Sequence, residues 1–121
     1  MSEYPITPVS KPRMTRRDRW RPFRPCVANY WNYKEEVILH NVMVTNGCSV
    51  TFILPMPHSW AKKKKCELDG QPHTQTPDVD NLLKGLMDAC LKEDKQIHTI
   101  NAKKIWGYQG RIIIEPGGSE K

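Results

Sequence analysis

The pattern of hydrophobic and polar residues is clearest in the second half of the chain. Between residues 79 and 91, apolar side chains recur at spacings of three and four residues. They are Val79, Leu82, Leu83, Leu86, Met87, Cys90 and Leu91. This spacing places them on one face of an α-helix, so we predict an amphipathic helix that begins beside Pro77. Asp78 or Asp80 is expected to serve as its N-cap.

Two further helices are predicted upstream. From Ala28 to about Val42, the residues expected on one side of a helix are Tyr30, Tyr33, Val37, Ile38 and Asn41. A shorter helix is predicted to begin with Ser59 as its cap, to run through Lys62–Lys65 and to end near Gly70. Residues 71–77 are polar and are expected to form a loop.

Four stretches have strand character. Ser49–Pro55 is rich in β-branched and apolar residues and ends in a proline. In residues 1–10 the prolines lack backbone donors, which limits this segment to a short edge strand. Ile97–Trp106 and Arg111–Ile114 are separated by a segment bounded by glycines, and this pattern predicts a β-hairpin.

The sequence of strands and helices along the chain predicts a small α/β or α+β domain. The length of 121 residues suits one domain, residues 1–121, with 1–10 and 116–121 as flexible or edge segments. No apolar stretch approaches the roughly 18 residues of a membrane span, and residues 1–10 lack the hydrophobic region of a secretory signal. We therefore expect a soluble, cytoplasmic protein that does not act at a membrane.

The charge distribution narrows the class of partner. The chain carries 19 Lys and Arg against 13 Asp and Glu, a formal net charge of +6. Seven basic residues lie between Lys11 and Arg24, in a segment that its prolines keep extended, and four more form the run Lys62–Lys65. Clustered cations suit a polyanion because their binding to phosphates releases condensed counterions. A solvated charged face is the alternative, but the tryptophans interleaved with both runs favour nucleic acid.

Three aspartates are the candidates for chemistry: Asp78, Asp80 and Asp94. Acidic residues repel a phosphate backbone, and a divalent cation bound between them removes that conflict. Carboxylate oxygens suit Mg²⁺, which bridges to a phosphate oxygen and activates water, while Lys84 neutralises charge that develops on the phosphate. In the alternative interpretation the first two aspartates only cap the helix, and Asp80, Lys84 and Asp88 form ordinary surface pairs four residues apart.

The other residue types that bind metals carry no informative pattern. The four cysteines contain no CxxC pair, which argues against a zinc site. His58 and His73 lie on either side of the lysine run, and both are expected at the surface.

The acidic residues belong to a longer motif. It reads Pro77-Asp78-Val79-Asp80-Asn81-Leu82-Leu83-Lys84 and is followed by Asp88-Ala89, by Glu93-Asp94 ahead of Ile97, and by Lys103 or Lys104. Together these residues resemble the RusA family of crossover-junction endodeoxyribonucleases, also called Holliday junction resolvases. Two further segments, Lys11–Asp18 and Met56–Lys64, are similar to the branch of the family that is common in phages and prophages. The likeness extends from about Lys11 to Ile114.

The resemblance implies a mixed β-sheet packed by two main helices. It also implies a homodimeric, Mg²⁺-dependent enzyme, with Mn²⁺ as a substitute metal, that nicks two strands of a four-way DNA junction symmetrically. Asp78, Asp80 and Asp94 match the family's catalytic, metal-binding acids, and Lys84 matches its catalytic lysine. Glu93 stands where the family's acidic doublet has another aspartate, which leaves open whether it is also a ligand.

We therefore predict an endodeoxyribonuclease that resolves Holliday junctions in DNA recombination and repair. The residues expected to hold the DNA backbones are Lys11, Arg13, Arg16, Arg17, Arg19, Lys62, Lys63, Lys64 and Lys65. Two alternatives stay open: a nuclease for other branched DNA, such as flaps and forks, and a basic DNA-binding protein without catalysis. An RNA-binding module is disfavoured, because aromatic residues make up only 8% of the chain.

Overall fold

The structure is a computed structural model that describes residues 2–11, 25–75, 77–90 and 97–115. Its elements, in chain order, are β1 (Ser2–Tyr4), α1 (Pro25–Leu39), β2 (Ser49–Pro55), α2 (Lys62–Leu68), α3 (Val79–Cys90), β3 (Asn101–Gly107) and β4 (Arg111–Glu115). None of the described helices is long and apolar enough to cross a membrane.

β2 is a central strand of a four-stranded mixed sheet with the order β1-β4-β2-β3. On one side it pairs with β3 in parallel, and on the other with β4 in the antiparallel direction. β1 pairs with β4 and forms an edge, as predicted for the first residues of the chain. β2 suits its position because Val50, Phe52 and Leu54 are buried on one face and Ile53 is buried on the other. The predicted α+β class is confirmed.

The predicted hairpin of the last two strands is wrong, because β2 lies between β3 and β4. Phe52 of β2 aligns with Lys104 of β3 on one side and with Ile112 of β4 on the other. The outer strands are therefore about 10 Å apart, and the four peptide steps across residues 108–110 span this gap, since they reach ~13 Å. Glycine spacing and strand alternation are the same whether or not a third strand separates the pair, so the sequence pattern did not distinguish the two arrangements.

The helical layer covers one face of the sheet and confirms the predicted apolar stripe of α3. Leu82 and Leu86 are fully buried, while Val79, Leu83 and Cys90 pack at the margin of the core. α1 lies against α3, and the Tyr30 hydroxyl donates a hydrogen bond to the carbonyl oxygen of Gly85 at 3.0 Å. The core that joins the two layers contains Ile6, Tyr30, Tyr33, Val37, Val42, Val44, Cys48, Val50, Phe52, Leu54, Leu82, Leu86, Ala89, Ile112 and Ile114.

Two helix predictions need correction in detail. α1 begins and ends three residues earlier than expected, and Asn41, expected on its buried side, has a positive φ of 53° in the turn that follows. Ile38 is 64% exposed because it lies about 100° round the helix from Val37, beyond the stripe that the core covers. α2 has Ala61 at its N-cap, without a side-chain hydrogen bond, and Ser59 does not cap it.

Gly110 fits tightly against the first segment of the chain, and its replacement should destabilise the fold. A Cβ atom at this position would lie 2.7 Å from the Cα of Thr7, which is closer than non-bonded carbons approach. We expect Gly110→Ala to lower the free energy of unfolding by about 1–3 kcal/mol, as overpacking usually does. Denaturant unfolding measures the change, and Gln109→Ala, an exposed substitution in the same turn, is the control. Equal stability of Gly110→Ala and wild type would contradict this packing.

Candidate active site

Asp78 and Asp80 lie together at the start of α3. Asp78 directly precedes the helix, and its carbonyl oxygen accepts a backbone hydrogen bond from Leu82 at 3.1 Å. Asp80 lies in the first turn, and both side chains are exposed. The unpaired N–H groups and the partial positive charge of a helix N-terminus stabilise nearby carboxylates. The local fold therefore holds two charged oxygen donors at one exposed point without burying them.

An open cleft of about 640 Å³ adjoins this point. One wall is the start of α3 with Asp78 and Asn81, another is the end of β2 with Leu54 and Pro55, and the third is the segment Thr7–Ser10. β2 ends at Pro55, so its last residues form one wall of the cleft. The width and exposure of the cleft suit a polymer that passes across the surface rather than an enclosed small molecule.

Lys84 is exposed and lies one turn after Asp80 on α3. Within residues 77–90, no ion pair joins Lys84 to Asp80 or Asp88. Asp88 instead forms an ion pair and hydrogen bond with Lys11, which was expected to hold DNA. The alternative interpretation, in which these three residues form ordinary surface pairs, therefore receives no support from the described part of the chain.

Lys11 is held against α3 by the backbone as well as by its side chain. Its N–H group donates to the carbonyl oxygen of Asn81 at 3.5 Å, and its backbone passes beside Gly85. A Cβ atom on Gly85 would lie 3.1 Å from the nitrogen of Lys11 and from the carbonyl oxygen of Val9. Glycine thus permits the segment that leads into the basic run to cross α3 closely. Both side chains of the Lys11–Asp88 pair keep about a third of their surface exposed or less.

Several predicted site residues lie outside the described residues. They are Asp94, Glu93, Arg13, Arg16, Arg17 and Arg19. Among the residues that the structure does describe, no group of three or more His, Cys, Asp or Glu side chains comes together to hold a metal. The structure therefore brings together two of the three predicted acids, and the position of the third stays a prediction.

The lysine run begins α2, with Lys62, Lys63 and Lys64 in its first turn and Lys65 in its last. Lys62, Lys63 and Lys64 are exposed, Lys65 is half-buried, and the first turn contains no acidic residue. Cations at a helix N-terminus are unfavourable, because they face the positive end of the helix dipole and repel one another. Local helix stability therefore does not account for these charges.

A series of tilted ring contacts connects this helix to the sheet. The ammonium of Lys64 lies 4.1 Å from the ring centroid of Trp60. The rings of Trp60 and Trp106 are 4.8 Å apart, and those of Trp106 and His73 are 4.0 Å apart. The prediction of a surface position for His73 is wrong, since only 6% of the residue is exposed. Burial, and then the positive charge of Lys104, lower the pKa of His73.

Lys104 holds the turn that precedes the acid pair. Its ammonium donates hydrogen bonds to the carbonyl oxygen of Gln75 and, at 2.6 Å, to that of Pro77. The sequence suggested only that Lys103 or Lys104 belonged to the motif, without a role. The sequence did contain a signal for the role of Lys104. Lys104 alternates with Ala102 and Trp106 along β3, so its side chain faces the helical layer. A lysine at such a position needs hydrogen-bond partners.

The comparisons with known proteins agree with the geometry. The sequence profile of a family described as endodeoxyribonuclease RusA matches residues 3–115. The chain therefore belongs to the RusA endodeoxyribonuclease family. It is an enzyme that hydrolyses DNA, and its membership implies the nuclease activity of a Holliday junction resolvase on branched DNA. A search of curated proteins finds no match.

The buried histidine should make stability depend on pH. The folded-state pKa of His73 lies below the ordinary value of about 6.5, so the unfolded chain binds more protons below that pH. The stabilising contribution is complete above the ordinary pKa and is lost as the pH falls through the folded-state pKa. We expect His73→Asn, whose Oδ1 atom still accepts the hydrogen bond from Gln75, to reduce this loss.

Denaturant unfolding between about pH 7.5 and about pH 5 measures the loss. His58→Asn, which removes an exposed histidine, is the control and should leave the pH dependence of the wild-type protein unchanged. The interpretation fails if His73→Asn loses as much stability on acidification as the wild-type protein does.

Proposed function

We propose that the protein is a Mg²⁺-dependent, structure-selective endodeoxyribonuclease that resolves four-way DNA junctions by paired symmetrical nicks, in recombination and repair. The observation that carries this proposal is the exposed pair Asp78 and Asp80 at the start of α3, beside an open cleft and one turn before Lys84. Family membership supports the reaction class, and the geometry supports the assignment of these residues to it.

The donor chemistry of the pair fits a hard divalent cation. Two exposed carboxylates supply oxygen ligands and leave room for the waters that Mg²⁺ retains. We assign Asp78, Asp80 and Asp94 as the ligands, with Mn²⁺ as a substitute ion. When bound, the cation supplies Lewis acidity and lowers the pKa of a coordinated water.

The chain's own cations act on the DNA. Lys84 is placed to neutralise the charge that develops on the scissile phosphate, because it lies exposed one turn from Asp80 on the same helix. Lys62–Lys65, together with Lys11, Arg13, Arg16, Arg17 and Arg19, are proposed to contact the phosphate backbones, which positions the junction without reading its sequence.

We propose that residues 1–121 act as one domain and that two copies form a homodimer. A four-way junction has near two-fold symmetry, so a two-fold dimer presents one active site to each of two equivalent strands. Paired nicks then follow from the symmetry of the complex rather than from a second site in the same chain.

Removal of one carboxylate should separate cleavage from binding. We expect Asp80→Asn to lower the rate of junction cleavage by more than about 100-fold, beyond the loss usual for an indirect partner of a metal. Junction affinity should be kept or increased, because the substitution removes a charge that repels phosphate. The measurements are cleavage of a synthetic mobile four-way junction with Mg²⁺ or with EDTA, and binding of the same junction in EDTA.

Glu35→Gln is the matched control, since it removes an exposed acid on α1, outside the proposed DNA contact surface, and should leave both measurements unchanged. Normal cutting by Asp80→Asn would overturn the metal assignment. Equal cutting of flaps, forks and junctions by the wild-type protein would favour the broader branched-DNA nuclease. Tight binding without cutting in any divalent metal would instead indicate a DNA-binding protein without catalysis.

The lysine run should contribute to the salt dependence of binding. We expect the double substitution of Lys62 and Lys63 by Gln to weaken junction binding and to reduce the slope of log K against log salt by about 0.9 for each phosphate that the variant no longer neutralises. These two exposed side chains are suitable because neither lies over an aromatic ring, as Lys64 does.

Lys34→Gln is the control, because this lysine lies on α1, outside the proposed contact surface. Its removal should leave the slope unchanged. A similar change of slope per lysine in both variants would show that the slope reports net charge, and would remove α2 from the proposed contact surface.

A further inference from the structure

The loop that joins α2 to α3 is attached to the free edge of β3. The N–H of Gly70 donates to the carbonyl oxygen of Trp106 at 2.9 Å, and the N–H of Trp106 donates to the carbonyl oxygen of Gln71 at 3.0 Å. The N–H of His73 donates to the carbonyl oxygen of Lys104 at 3.1 Å. Among the described residues of the loop, this backbone pairing with β3 ends at His73, and neither Gln75 nor Pro77 takes part in it.

The side chain of Lys104 continues the attachment where the backbone pairing ends. Its ammonium bridges the carbonyl oxygens of Gln75 and Pro77. Pro77 is joined by its peptide bond to Asp78, so this hydrogen bond holds the carbonyl group of the very peptide that leads into the candidate site. Within the described residues, both hydrogen bonds of this ammonium go to backbone carbonyls and none goes to a carboxylate.

The direction of the side chain agrees with this role. Lys104 aligns with Phe52 of β2 and therefore points to the face of the sheet that the helices cover, whereas Lys103 aligns with Thr51 and points to the opposite face. Lys104 is half-buried and Lys103 is exposed. A half-buried ammonium is stable only if its N–H donors are satisfied, so the position of the Lys104 ammonium and the positions of the two carbonyl groups constrain each other.

We propose that Lys104 is a positioning residue of the nuclease site: by bridging the carbonyl groups of Gln75 and Pro77, it fixes the backbone that leads into Asp78 and the start of α3 in the orientation that lets Asp78 and Asp80 bind the metal. This inference rests on the proposed function. It assigns to Lys104 no contact with the DNA or with the metal.

The test compares Lys104→Met with Lys103→Met, a matched pair of neighbours on opposite faces of β3. Mn²⁺ binding to the protein without DNA is measured by electron paramagnetic resonance, junction binding is measured in EDTA, and cleavage is measured over a range of Mg²⁺ concentrations. We expect Lys104→Met to bind Mn²⁺ about 10–100-fold more weakly and to need correspondingly more Mg²⁺ for half-maximal cleavage. Its junction affinity in EDTA should equal that of wild type, and Lys103→Met should retain wild-type Mn²⁺ binding and Mg²⁺ requirement.

Lys104→Gln decides the question if the methionine variant does not fold, since the glutamine amide keeps hydrogen-bond donors at the position. It should also raise the Mg²⁺ requirement, by less than the methionine substitution. Wild-type metal affinity and Mg²⁺ requirement in a folded Lys104 variant would overturn the proposal. So would loss of junction binding in EDTA with unchanged Mn²⁺ binding, because Lys104 would then be a DNA contact. A wild-type protein that cuts no junction with Mg²⁺ would instead refute the proposed function.

Discussion

Burial of β2 on both faces constrains the position of every other element. A strand with apolar side chains on both faces cannot lie at an edge, so β3 and β4 pair on either side of it. The face that carries Val50, Phe52 and Leu54 has to be covered, and the apolar stripes of α1 and α3 cover it. The end of β2, at Leu54 and Pro55, and the start of α3 line the same open cleft, and the acid pair lies beside it.

Much of this arrangement could be predicted from the sequence, because periodicity reports which side of an element is buried. Ser49–Pro55 and the stripe of α3 follow directly from it, and so does the position of Asp78 before the helix. The order of strands could not be predicted, since the link from β3 to β4 looks like a hairpin turn and only the fold shows that β2 intervenes. His73 was misjudged because its burial depends on Trp106, more than thirty residues away in the chain.

One continuous set of contacts joins the lysine run of α2 to the acid pair. Lys64 of α2 lies over Trp60, and Trp60 contacts Trp106 on β3. The next residue of β3 that faces the same side, Lys104, holds the carbonyl group of Pro77 just before Asp78. β3 is thus the common support of a basic surface and an acidic site. Such a support fixes their separation more rigidly than the intervening loop would, because loops without such contacts are the more mobile parts of a fold.

The lysines on α2 have a thermodynamic consequence for the helix itself. The positive charges of Lys62, Lys63 and Lys64 at the positive end of a seven-residue helix oppose its formation, and no side chain caps it. An anion that neutralises these charges removes the opposition, so binding of a polyanion and formation of the first turn are linked equilibria. By reciprocity, any change that favours the helical form of this segment also favours binding of the anion. In the proposed function, the DNA backbone that binds these lysines therefore also stabilises the helix that carries them.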